Sequence, residues 1–114
     1  LARDAAGRVL LVQRAPDGLL GGLWELPNRA SGDAPTARDA AHALRSAAGV
    51  RAARVESRGR FTHAFSHFKQ VWHLFEAVGP VSETSSERSA SAQFAVPSDL
   101  PLTTLTRRAL MSAQ

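Results

Sequence analysis

No cysteine occurs in the 114 residues, which excludes disulfides, thiolate zinc sites and an iron–sulfur cluster ligated by this segment. Nor is there an unbroken apolar run of about 18 residues, the length a membrane-crossing helix needs. The first residues, Leu1-Ala2-Arg3-Asp4, carry charge where a signal peptide carries its apolar core. An initiator methionine is missing as well, and the chain starts almost inside a pattern. The expectation is therefore a single domain, 1–114, cut from something longer, of a size that supports a genuine core. Lysine is nearly absent: Lys69 stands alone among fourteen basic side chains. One reading of so much arginine and alanine is codon bias in a GC-rich genome. The functional alternative is a modest attraction of the net +4 charge to a polyanion, with arginine suited to forked phosphate contacts.

What the chain has is concentrated in Phe61-Thr62-His63-Ala64-Phe65-Ser66-His67-Phe68-Lys69-Gln70-Val71-Trp72-His73, which holds three of the four histidines and three of the five phenylalanines. With a period of two, Phe61, His63, Phe65 and His67 share one side and Thr62, Ala64, Ser66 and Phe68 the other. Aromatic and β-branched residues suit a pleated, half-buried surface, so the stretch reads as strand. A strand tip offering a hydroxyl, an imidazole and a flat ring suits a planar polar ligand such as a nucleobase.

Around it, Val9-Leu10-Leu11-Val12 reads as a strand buried on both faces. Ala15-Pro16-Asp17-Gly18 has turn chemistry, and the adjacent Gly21-Gly22 predicts a sharp turn or a close backbone approach. An alternating strand resumes at Trp24-Glu25-Leu26 and stops at Pro27. Thr36 with Asp39 forms a capping-box-like start to a helix over 36–48, with Gly49 as its terminator. Ala53 to Ser57 reads as a strand continuing through a bulge near Gly59. Gln70 to Val78 is apolar on both faces, as a central strand is, with Gly79-Pro80 closing it. Val81 to Ser91 lacks periodicity and reads as a mobile loop, Gln93 to Pro97 as an edge strand, and the segment after Thr103/Thr104 as a terminal helix with Arg107 and Arg108 outward. Helices on the two faces of a mixed sheet give an α/β sandwich.

Gly18-Leu19-Leu20-Gly21-Gly22-Leu23-Trp24-Glu25-Leu26-Pro27 resembles a segment of the C-terminal domain of adenine DNA glycosylases, the MutY family. Phe65-Ser66-His67, preceded by His63, resembles that domain's Phe-Ser-His signature, and Leu100-Pro101-Leu102 with Arg107-Arg108-Ala109-Leu110 is similar to its closing segment. The resemblance implies a Nudix (MutT-like) fold, a mixed β-sheet sandwiched between α-helices, forming the C-terminal part of a longer chain. It also implies a role in recognising 8-oxoguanine mispaired with adenine in double-stranded DNA. Adenine removal and the iron–sulfur cluster would belong to a separate N-terminal domain, leaving no cofactor and no catalytic residue in this one. A monomer in the bacterial cytoplasm, working at the nucleoid and away from membranes, is the matching expectation, with repair or replication proteins as further partners.

One departure concerns the metal. Nudix hydrolases need a box whose helix ends Arg-Glu-x-x-Glu-Glu-x-Gly, where carboxylates bind magnesium. Aligned on Gly49, the glutamate positions nearest the glycine are Ser46 and Ala47, the Arg-Glu pair is His42-Ala43, and the starting glycine is Asn28. Asp39 is the one carboxylate left on the helix, so no pyrophosphatase activity and no metal are expected.

Within the resemblance, Ser66 is the central reader. Oxidation turns guanine's N7 from acceptor to donor and adds a carbonyl at C8. A serine hydroxyl can accept the N7 hydrogen while a neighbouring donor meets the carbonyl. His67 is a flat wedge or second donor, His63 its support, and Phe65 part of the motif. Lys69 and Arg60 are candidates for phosphate contacts and Gln70 for a groove contact. The turn at Gly21, Gly22 and Leu23 lies on the DNA-facing side. His63, His67 and His73 have no carboxylate or cysteine at ligand spacing, and adjacent strand residues such as Ser66 and His67 face opposite ways, so neither a metal site nor a Ser–His hydrolase is expected. Two other functions remain open: a free-standing Nudix hydrolase of nucleoside diphosphate derivatives, and a partner-docking domain acting through the Ser82–Ser91 loop.

Overall fold

The computed structural model describes residues 1–31, 34–83 and 89–113. Five strands and two α-helices follow in the order β1 (Val9–Gln13), β2 (Trp24–Glu25), α1 (Ala37–Ala48), β3 (Val50–Ala64), β4 (Lys69–Glu83), β5 (Ala92–Ala95) and α2 (Thr104–Ser112), with a 3-10 turn at Pro97–Asp99 before α2.

β1 pairs antiparallel with β2 on one side and β5 on the other, while β3 and β4 form a separate long hairpin. Residues 1–3 join the two. Arg3 bridges antiparallel to Val9, and the Ala2 carbonyl accepts from Leu10 N–H at 2.9 Å. On the other side the Leu1 amine donates to Phe75 O at 2.9 Å and Leu1 O accepts from Ala77 N–H at 2.8 Å, a parallel pattern. A second parallel bridge links Trp24 to Leu102. These two junctions give the sheet structure its mixed character.

β1 feeds both layers because alternate side chains leave a strand on opposite faces. Val9 and Leu11 join Leu26, Leu74, Leu102 and Ala109 on the α2 side. Leu10 joins Leu44, Ala48 and Val50 on the α1 side. The sandwich is thus helix, sheets, helix. The cap of α1 forms as its local residues dictate: the Thr36 hydroxyl accepts from Asp39 N–H, the Asp39 carboxylate accepts from Thr36 N–H, and Gly49 closes the helix at φ 70°. Thr103 caps α2 in the same way through Thr106 N–H.

Two sequence expectations change. β4 does not stop at Gly79-Pro80 but runs on to Glu83. The partners step from Ala52↔Val81 to Arg54↔Val78, so Gly79 and Pro80 sit in a bulge, a place where a strand tolerates proline and a positive-φ glycine. The strand expected over 61–68 ends at Ala64. The bulge near Gly59 is present: β3 advances from Ser57 to Arg60 while β4 steps only from Phe75 to His73. Of the loop expected at 81–91, residues 81–83 belong to β4 and 84–88 lie outside the described residues.

Candidate nucleic-acid interface

Beyond the Gly59 bulge the hairpin runs on past the core, with Phe61 still packed against the α2-side cluster, to an exposed tip. The register sets its two faces, since cross-strand partners share a side. Arg60 with His73 and Thr62 with Val71 occupy one face; Phe61 with Trp72 and His63 with Gln70 occupy the other. Between Arg60 and His73 the sequence contains no Asp or Glu. Nearer the root, Glu56 and Glu76 are held by arginines: Arg58 Nε reaches Glu76 at 3.1 Å, Arg58 Nη1 reaches Glu56 at 3.3 Å, and Arg3 reaches Glu76 at 2.6 Å. Among the described residues Arg60 and Lys69 make no ion pair. The root of the hairpin is neutralised and its far end is left positive.

The tip is the four-residue loop from Phe65 to Phe68, closed by Phe65 N–H donating to Phe68 O at 2.7 Å. The Phe65 and Phe68 rings stack at 4.7 Å and 20°, and both are exposed, at 40% and 55%. Ser66 and His67 lie in the bend between them, exposed to solvent. The expected alternation through 61–68 therefore fails at Phe65. His67 does not share a strand face with His63, and Ser66 and His67 do not point to opposite faces of a strand. The aromatic residues that made the segment look like one strand are instead the pair that closes its turn. His63 lies at the strand end, its ring meeting Phe65 edge-on at 4.8 Å.

Arg60 and Gln70 border a cavity of about 660 Å³ between the hairpin, α1 and residues 27–31 and 34–35. Ser66, His67 and Phe65 do not border it. Gln70 also lies exposed beside Lys69.

The glycine turn is tightly wound. Gly22 takes φ 81° and Leu20 φ 55°. A Cβ on Gly21 would come within 2.7 Å of the Pro16 carbonyl carbon, so glycine is required by close approach. Arg14 organises the loop: its Nε donates to Leu19 O at 2.8 Å, and Nη1 reaches both Glu25 oxygens at 3.0 and 3.1 Å. Leu23 is half-buried, and Leu19 stands out at 79% exposure.

Sequence reasoning missed Phe68 and Arg108. Phe68 carried a signal, its position after Phe-Ser-His. Arg108 carried none: it is exposed, as expected, yet its guanidinium carbon lies 5.1 Å from the Phe61 ring centroid and Nη1 lies 3.4 Å from His63 Nδ1.

The helix that would carry a magnesium site does not fit one. Asp39 Oδ2 is bound to Thr36 N–H at 2.8 Å, and that hydrogen bond holds its pKa below the usual carboxylate value against partial desolvation. Ala43 is buried. Among the described residues no three His, Cys, Asp or Glu side chains gather to hold a metal ion, and no helix is long and apolar enough to cross a membrane.

A sandwich of two helices around mixed sheets is the architecture of MutT-like domains. The family profile described as "NUDIX domain" matches residues 1–112, and the chain belongs to that family. Among solved structures it is similar to a MutT NUDIX hydrolase from Burkholderia pseudomallei, at 23% identity and TM-score 0.70, covering 99% of this chain and 94% of that one. It is also similar to the C-terminal domain of mouse MUTYH, solved in complex with human PCNA, at 21% identity and TM-score 0.68, covering 90% and 72%. The NUDIX domain of Shewanella oneidensis NrtR, complexed with ADP ribose, matches at 18% identity and TM-score 0.67, covering 93% and 75%. No curated protein matched the chain.

Proposed function

We propose that the chain is the lesion-recognition domain of an adenine DNA glycosylase, reading 8-oxoguanine opposite adenine in duplex DNA. The observation that carries this reading is the hairpin tip: Phe65-Ser66-His67 is exposed at the end of a long arm whose outer part lacks any acidic side chain. A polyanion can approach such an arm, and the exposed hydroxyl and imidazole meet base edges. The fold shared with the mouse MUTYH domain supports the reading, as does a box helix without magnesium carboxylates. Glycosidic cleavage, and the iron–sulfur cluster, would reside in an N-terminal domain of the parent chain. A replication clamp is a candidate partner, since the mouse domain was solved with PCNA. The test is a binding comparison. The 114-residue chain binds an 8-oxoguanine·adenine duplex more tightly than a guanine·adenine one, and Ser66→Ala with His67→Ala removes the difference; equal discrimination by the double variant refutes the role.

A second reading, a free-standing Nudix hydrolase of nucleoside diphosphate derivatives, is favoured by the fold shared with the Burkholderia hydrolase and by the cavity beside α1. Magnesium-dependent turnover of such a substrate by the chain would establish it instead.

A further inference from the structure

Five side chains form a line from α2 to the hairpin tip. Arg108 lies over Phe61, 5.1 Å from the ring centroid, and its Nη1 lies 3.4 Å from His63 Nδ1. His63 meets Phe65 edge-on at 4.8 Å, and Phe65 stacks on Phe68 at 4.7 Å. Guanidinium only donates, so a hydrogen bond at this contact uses His63 Nδ1 as its acceptor. Phe61 also packs against the α2-side core, so the first two members are anchored in the body of the fold and the last two are in the loop. Within the loop itself only Phe65 N–H to Phe68 O and the ring stack fix its shape, which is little for four exposed residues. Arg107, the neighbour of Arg108 on α2, is exposed and touches none of these groups.

We infer that Arg108 is a positioning residue, holding the Phe65–Phe68 loop in its reading pose through Phe61 and His63. Its value as the anchor depends on the flat fork: one face covers the Phe61 ring while an edge N–H reaches the imidazole, which an ammonium cannot do at once. The functional half of this inference rests on the proposed lesion reading; the structural half does not.

The experiment therefore has two readouts on the 114-residue chain. One is hydrogen exchange of the Phe65 amide without DNA; the other is the ratio of affinities for 8-oxoguanine·adenine and guanine·adenine duplexes. Arg108→Ala should speed Phe65 exchange about three- to fivefold, the scale of an exposed cation–π contact, and lower the affinity ratio by a similar factor. Arg107→Ala should change neither. Arg108→Lys should behave as Arg108→Ala, and adding His63→Ala to Arg108→Ala should have less than its separate effect, because both act on one contact. Unchanged Phe65 exchange in Arg108→Ala overturns the inference. So does an equal loss of affinity for both duplexes that Arg108→Lys restores, the signature of a phosphate contact. If the unsubstituted chain shows no lesion preference, the proposed function falls, while the exchange comparison still decides what Arg108 does.

Discussion

Asp39 accepts a hydrogen bond from Thr36 N–H at 2.8 Å and donates its own N–H to the Thr36 hydroxyl at 3.3 Å. The one carboxylate on α1 is thereby turned to its own first turn. In a hydrolase of this fold the corresponding helix holds a cation; here its acidic group holds a helix end.

Removing that cap has a stability cost and no metal consequence. Thr36→Ala should lower unfolding free energy by about 1 kcal/mol, the usual scale of an N-cap loss, measured by urea denaturation. Adding magnesium should leave the unfolding midpoint of the unsubstituted chain unchanged. A rise with magnesium would show a cation site that stabilises the folded state.

Gly21 and Gly22 should respond differently to alanine. At Gly21 the new methyl would overlap the Pro16 carbonyl, and backbone cannot move aside as a flexible side chain can. Gly21→Ala should cost roughly 1–3 kcal/mol. At Gly22 there is open space and only the φ of 81° to strain, so about 1 kcal/mol is expected. Paired urea titrations give the ordering.

The free positive charges of the arm should act without regard to sequence. Lys69→Ala and Arg60→Ala should each weaken binding to lesion and undamaged duplexes alike, and reduce the salt slope of log affinity by about one. Affinities across a salt series check this. A selective loss at the lesion would mean that the side chain reads the base.

The amine of Leu1 sets a pH dependence in the 114-residue chain. Burial lowers its pKa from 8.0 to about 6, against the opposing pull of Glu76. The unfolded chain therefore binds more protons than the folded one between those values. Stability is full above pH 8 and is lost as pH falls toward 6, by about 2–3 kcal/mol. Denaturation at the two ends of that window measures it, and N-terminal acetylation should flatten the profile.

What the sequence revealed follows from how local each cause is. Helix α1 was legible because Thr36, Asp39 and Gly49 act within one turn of themselves. The Gly59 bulge and the close approach at Gly21 were legible because glycine marks both. The length of β4 was not, since Gly79-Pro80 is a strand stop unless a partner strand absorbs it, and the partner lies 29 residues away (Ala52 opposite Val81). The hairpin turn was hidden because its four residues continue the aromatic pattern of the strand before them. The contact of Arg108 with His63 spans 45 residues, and nothing in the short helix around it distinguishes Arg108 from Arg107.

The extra residue at Gly59 has a consequence for how such an arm can change. It shifts the parity of β3, so that Val55 and Ser57 share a side with Arg60 and Thr62. Inserting or deleting a single residue beyond it would roll Phe61 and His63 over to the opposite side and sever them from Arg108. Matched two-residue changes in both strands would keep their aim and alter only reach. Length and orientation of the probe are thus separate variables, one free to drift and the other locked.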